Sequence, residues 1–283
     1  GACGGDAEPT PTKRAVVATP TAASGEVAPP EKRGGGTLVV AGTLSDIPDT
    51  GGQTSQGHEG FRFVGFNISD GLSRWDLTDA GVDAGIVPGL AESWEMDAQN
   101  PAKWTFRLRR GVKFHDGTGY DADAAIYIFD RIKESASRGE AAHFDPAQAA
   151  RVRSFGAPLY DWKKIDDYTI EVETNPVFSF LPWVSSFYLS VSPTRHAELG
   201  PDEYQFNPAG TGPWKFDKLV PRERLELVPN EDYWGMVPMA DRFIYLPMPD
   251  AGSRLAALRT GRVNWAEVPP ADAIPGLRKD GFE

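Results

Sequence analysis

Four histidines, His58, His115, His143 and His196, and forty acidic residues are the groups of this chain best suited to hold a metal or move protons near neutral pH. Their spacing argues against a metal centre built by the protein, because no two histidines stand four residues apart as a helical zinc motif requires. Cys3 is the single cysteine, which excludes an internal disulfide and any multi-cysteine zinc site. No resident cofactor is expected, although one histidine would suffice to grip a nickel ion that arrives inside a chelator. Catalytic chemistry lacks its usual signatures: there is no Gly-x-Ser-x-Gly elbow, no Gly-x-x-x-x-Gly-Lys loop and no Gly-x-Gly-x-x-Gly. A glycosidase-like pair of carboxylates depends on a through-space separation that spacing along the chain does not carry. The expectation is a protein that binds rather than transforms.

Groups suited to an apolar solute are more conspicuous. The run from Phe178 to Tyr188, FSFLPWVSSFY, concentrates aromatic rings, and Trp183, Phe187 and Tyr188 either wall a side-chain pocket or pack inside a core. Gly210, Thr211 and Gly212 either let backbone approach a ligand or form a structural turn before Trp214. His115 beside Asp116 reads as part of a turn. A net charge of -11 argues against a nucleic-acid partner, whose phosphates need clustered Lys and Arg. A bilayer span needs about eighteen consecutive apolar residues, and no such run occurs. Gly1-Ala2-Cys3-Gly4 looks like the end of a bacterial lipoprotein signal, so Cys3 is a candidate lipidation site. Residues 4–36, rich in Pro, Thr, Ala and Gly without apolar periodicity, read as a flexible tether.

The elements that must position these groups are mixed α and β without regular alternation. Thr37 to Ala41 is a continuous apolar run and predicts a buried strand, followed by a polar loop over 45–60. Phe63, Phe66 and Ile68 carry helical spacing that ends near Asp70-Gly71. Trp104, Phe106 and Leu108 alternate with polar residues as a half-buried strand does; Val112 and Phe114 resume the pattern, and Asp116-Gly117 supplies the turn of a hairpin. Ala122, Ala125, Ile126, Phe129 and Ile132 define a helix with Asp121 as its N-cap. Strands are predicted at Tyr168 to Val172, around Leu225 and Leu227, and over 243–246 and 263–266. Ser253 to Arg259 predicts a helix with Leu255 and Leu258 inward and Gly261 as its stop.

Seven landmarks in register resemble the family 5 extracellular solute-binding proteins of bacterial ABC importers. They are Asp70-Gly71-Leu72, Pro88 to Trp94 (PGLAESW), Leu108 to Gly117 (LRRGVKFHDG), Asp166 to Thr169 (DDYT), Asn207 to Trp214 (NPAGTGPW), Asn230 to Gly235 (NEDYWG), and Arg254 to Leu258 (RLAAL) with Gly261. Two departures stand out: the loop after the first strand reads Ser45-Asp46-Ile47-Pro48 where the family favours Leu-Asp-Pro, and Ala124 replaces a common acidic residue, which moves the capping duty to Asp121 or Asp123. The resemblance implies an α/β, periplasmic-binding-protein-like fold of class II. It implies a lipoprotein terminus and linker at 1–36, a first lobe at 37–72 and 185–283, an inserted subdomain at 73–184, and a second lobe largely missing from this chain, through a truncated gene or an incomplete sequence in preference to a stand-alone half-clamp. It further implies a monomeric, lipid-anchored extracytoplasmic receptor that captures an oligopeptide or dipeptide between lobes and hands it to an ABC permease. A nickel-chelate or oligosaccharide receptor, or a remnant without transport function, are the alternatives. By similarity the cleft-lining loop falls on Gln56, Gly57, His58 and Glu59, which otherwise form a solvated polar loop.

Overall fold

The computed structural model describes residues 34–53, 57–79, 81–137, 139 and 143–282. Cys3, Gln56 and most of the expected tether lie outside these residues. Among the described residues, three sheets form. The first has five strands in the order β11-β1-β10-β9-β8, where β1 is Thr37–Gly42, β8 Trp214–Val220, β9 Arg224–Pro229, β10 Arg242–Pro247 and β11 Trp265–Ala266. β1 runs parallel to both β10 and β11, and β8, β9 and β10 pair antiparallel. The run TLVVA does form a strand, but the expectation of a buried one holds only for its second half: Val40 to Gly42 are enclosed, whereas Thr37 and Leu38 are exposed at the strand's entry. One face carries Val40, Leu225, Leu227, Phe243 and Tyr245 and is covered by Phe63, Val64 and Ile68. The other meets the Ala251–Arg259 helix through Ala41, Ala257 and Val263.

The second sheet is antiparallel, in the order β4-β5-β7-β6, with β4 Ala91–Met96, β5 Lys103–Leu108, β6 Leu159–Asp166 and β7 Thr169–Thr174. Trp104, Phe106, Leu108, Ile170 and Val172 point to one side, as period-two alternation demands, and the Ala122–Ile132 helix packs there. Asp121 caps that helix, accepting the Ala124 N–H at 3.0 Å. A short ribbon, β2 Ser73–Trp75 with β3 Ile86–Pro88, adjoins it. The core of this unit also takes Phe61, Leu72, Phe187, Tyr188 and Leu189, which lie outside 73–184.

Several expectations need correction. β5 pairs with β4 and β7, so the predicted hairpin shrinks to a reversal closed by the Lys113–Gly119 bridge, with Gly117 at a φ of 88° in its turn. The predicted loop over 45–60 ends in the Gly57–Gly60 helix. In the Ala251–Arg259 helix Leu255 and Leu258 are only half-buried, while Arg254 and Ala257 point inward. The last strand is confined to Trp265–Ala266.

Candidate functional site

An aromatic face forms where the chain after the Gly57–Gly60 helix meets the segment around Phe187. The local cause is a π-helical turn at Phe61–Gly65, between that helix and Phe66–Ile68. The extra residue in a π turn rotates the next side chains around the helix axis. Phe63 therefore stays in the core, whereas Phe66, expected beside it, swings outward. Phe187 is the centre of the face: its ring stacks on Phe155 at 4.4 Å and 4° and meets Phe61 edge-on at 5.1 Å. Phe66, Trp75 and His58 surround it at 5.9, 5.9 and 6.2 Å. Trp183 extends the face through Trp75 at 6.1 Å.

Hydrogen bonds fix these rings. Trp75 Nε1 donates to Ser186 Oγ at 3.1 Å, and that hydroxyl donates to the Trp183 carbonyl at 2.8 Å. Glu59 anchors the helix bearing His58: its carboxylate accepts the Thr43 N–H (2.6 Å), the Tyr245 hydroxyl (3.0 Å) and the Thr43 hydroxyl. Arg62 adds a 2.5 Å ion pair to Glu267. Phe66, Trp75 and Trp183 remain 37%, 40% and 39% exposed and His58 is exposed, so a rigid surface of rings faces solvent. Such a surface suits a flat apolar group, with the imidazole at its rim.

The structure thus brings together His58, Trp183 and Phe187 of the predicted site. Gly57 is exposed at the start of the helix that carries His58, and Glu59 serves as that helix's anchor. Tyr188 is buried behind the face and donates to the Phe155 carbonyl at 2.7 Å, holding the ring on which Phe187 stacks. Phe61, Trp75 and Phe155 are members that spacing does not single out. Phe61 and Trp75 flank a predicted helix and Phe155 sits in a polar stretch, so their only signal is being aromatic.

Gly210 and Thr211 lie elsewhere, beneath the end of the Phe66–Ile68 helix. A Cβ on Gly210 would stand 2.1 Å from the Ile68 carbonyl oxygen, a contact only glycine permits. Gly210→Ala should therefore cost roughly 3 kcal/mol, measurable as a shift in the urea midpoint; an unchanged midpoint would refute the close approach. Thr211 is fully buried and its hydroxyl donates to Asp70 Oδ2 at 3.0 Å. Asp70 also accepts from Tyr233 Oη and Trp234 Nε1, both at 2.9 Å, and burial pushes its carboxyl up to about 6.

His115 pins the same glycine turn. Its backbone N–H donates to the Gly210 carbonyl and its ring Nε2 lies 2.9 Å from the Gly212 carbonyl, so Nε2 carries the proton of a neutral ring. Burial pushes its imidazolium down to about 4, from 6.5. Between those values the unfolded chain binds the proton and the folded chain does not, so this contribution is complete above pH 6.5 and is lost as pH falls to about 4. Burial lowers His196 to about 4 as well, whereas the raised Asp70 gains stability over part of the same range. The difference between wild type and His115→Gln, whose amide can donate to Gly212 without titrating, isolates His115. That difference should shrink by roughly 3 kcal/mol between pH 7 and pH 4. Urea melts at both pH values check it, and a constant difference would contradict the assignment.

Among the described residues, no three His, Cys, Asp or Glu side chains gather as a metal group, and no helix is long and apolar enough to cross a membrane. Residues 85–282 match the profile described as bacterial extracellular solute-binding proteins, family 5 Middle. The chain is 30% identical over 216 residues to the dipeptide-binding protein of Escherichia coli K12, covering 69% of this chain and 38% of that protein. It is 25% identical over 190 residues to the nickel-binding periplasmic protein of the same organism, covering 64% and 33%. The periplasmic binding protein DppA from Helicobacter pylori, solved with the peptide STSA, superposes with a TM-score of 0.74 at 25% identity, over 87% of this chain and 49% of that one. The chain thus spans about half, or less, of the length of these relatives, and its mixed α/β architecture is that of periplasmic binding proteins. It belongs to the bacterial extracellular solute-binding proteins, family 5.

Proposed function

We propose that this chain forms part of an extracytoplasmic receptor for an ABC importer, in which the aromatic face takes the apolar or aromatic side chain of a peptide-like solute. The observation that carries this reading is the set of exposed rings, Phe66 and Trp75 packed on Phe187 and Trp183 packed on Trp75. A surface organised before binding loses little side-chain freedom on contact, which favours affinity. The names of relatives that bind dipeptides and peptides support the same class. In this reading the chain is not an enzyme; the solute passes unchanged to a permease, and Cys3 tethers a monomeric receptor to the membrane face. The inserted subdomain at 73–184 supplies Trp75, Phe155 and Trp183 to the face.

Calorimetry with Ala-Phe and Ala-Ala dipeptides tests the proposal. Ala-Phe should bind more tightly, and Trp183→Ala should weaken it about fivefold, one aromatic contact being worth about 1 kcal/mol. Equal affinity for the two dipeptides, unaltered in the variant, would sink it. A second reading rests on the exposed His58, which could ligate a chelated nickel ion; binding of a nickel–histidine complex that His58→Ala abolishes would favour it.

A further inference from the structure

Gln53 is 2% exposed, and its polar groups tie together three separate segments. Its backbone N–H donates to Gln148 Oε1 at 2.7 Å, and its carbonyl accepts from Arg151 Nη1 at 3.1 Å; both partners lie on the Pro146–Arg151 helix. Its side-chain amide lies against the backbone of the aromatic segment, and of the two orientations of that amide only one gives both ends a complementary partner: Nε2 then donates to the Phe187 carbonyl at 2.7 Å and Oε1 accepts the Leu189 N–H at 3.0 Å. Otherwise the Leu189 N–H reaches only back to the Phe187 carbonyl, at 3.1 Å. The surrounding loop is secured independently: Arg151 pairs with Asp49 at 2.8 Å, Arg131 Nη1 donates to the Gly51 carbonyl at 3.2 Å, and the Thr50 hydroxyl donates to the Gln205 carbonyl.

A buried amide with both ends satisfied specifies one arrangement of the chains it joins, because any slip strands a donor and an acceptor away from water. We infer that Gln53 is a positioning residue: it locks the loop after β1 to the Phe187–Leu189 backbone and so sets where the Phe187 ring stands beneath Phe66, Trp75 and His58. Nothing in the local sequence marks it, since a glutamine in a polar loop ordinarily faces solvent. The inference deepens the solute-binding proposal and rests on it for its functional meaning, but its structural content is separately testable.

The test uses the 283-residue chain, labelled for NMR, with Gln53→Met, which keeps length and removes both hydrogen bonds, and Gln148→Ala, which removes the acceptor of the Gln53 N–H. In Gln53→Met the Leu189 amide should exchange about tenfold faster, the size of one lost hydrogen bond. The ring shifts of Phe187 and His58, set by their mutual contact, should move toward free values, while the amides of Leu227 and Tyr245 in the five-stranded sheet keep their protection. Gln148→Ala should reproduce the pattern at smaller amplitude and carries the test alone if Gln53→Met does not fold. Equal acceleration of every amide, or no change at the two rings, would overturn the inference. The expected ring and amide changes in a chain that shows no preference for Ala-Phe would support the positioning role while refuting the solute reading.

Discussion

Phe187→Ala is expected to lower the unfolding free energy by about 3–5 kcal/mol. Phe187 is 6% exposed and touches the rings of Phe61, Phe66, Trp75, Phe155 and His58, so truncation opens a cavity with aromatic walls on several sides. Each well-oriented pair contributes about 0.5–1.5 kcal/mol beyond its buried area, which places this site toward the upper end of large-to-small core changes. The walls come from chain segments joined by different sheets, so they do not collapse onto the void together. Urea denaturation should show a lowered midpoint with an unchanged slope, since the area exposed on unfolding hardly changes. Trp183→Ala, at the solvent edge of the same face, should cost about 1 kcal/mol or less. A loss below about 1 kcal/mol for Phe187→Ala would mean that the ring does not organise the face.

Arg254→Met should destabilise the chain by about 4 kcal/mol. Arg254 is 4% exposed and its guanidinium fork donates to four carbonyls: Nε to Glu267 at 2.9 Å, Nη1 to Met248 and Pro249 at 2.7 and 2.8 Å, and Nη2 to Val268 at 3.4 Å. These carbonyls belong to the two segments that leave β10 and β11, strands that both run parallel to β1. Methionine fills the space but leaves four acceptors without donors, and a buried unsatisfied carbonyl costs about 1–3 kcal/mol before water or relaxation recovers part of it. Val268 is held at a φ of 45°, which a β-branched residue adopts only under constraint, so relaxation there when the fork is lost offsets part of this cost. Lysine carries the charge as a point and cannot bridge both segments, so Arg254→Lys should recover less than half of the loss. Equal stability of the methionine variant and wild type in urea would contradict the clamp.

Arg254 also shows where spacing along the chain stops being informative. Apolar spacing points to Leu255 and Leu258 as the inward side of that helix, yet both are half-buried and the charged residue before them is enclosed. Periodicity ranks side chains by their own hydrophobicity; it has no knowledge of the carbonyls of Met248, Pro249 and Glu267 waiting at the end of two parallel strands. Phe66 fails for a related reason, because the spacing assumes 3.6 residues per turn and a π turn intervenes. Gln53 and Phe155 are invisible altogether, one in a polar loop and the other in a charged stretch.

What the chain determines by itself is local and repetitive: the alternation of Trp104, Phe106 and Leu108, the apolar run of β1, the Asp121 cap, and the order of landmarks by which the family is known. Each depends on residues within a few positions of one another, where covalent geometry alone fixes which side chains share a face. The aromatic face is decided only in three dimensions. His58, Trp75, Phe155 and Phe187 are far apart along the chain and converge because two sheets, a π turn and the buried amide of Gln53 fix their backbones relative to one another. Such convergence arises from packing between elements, and short-range spacing does not encode it.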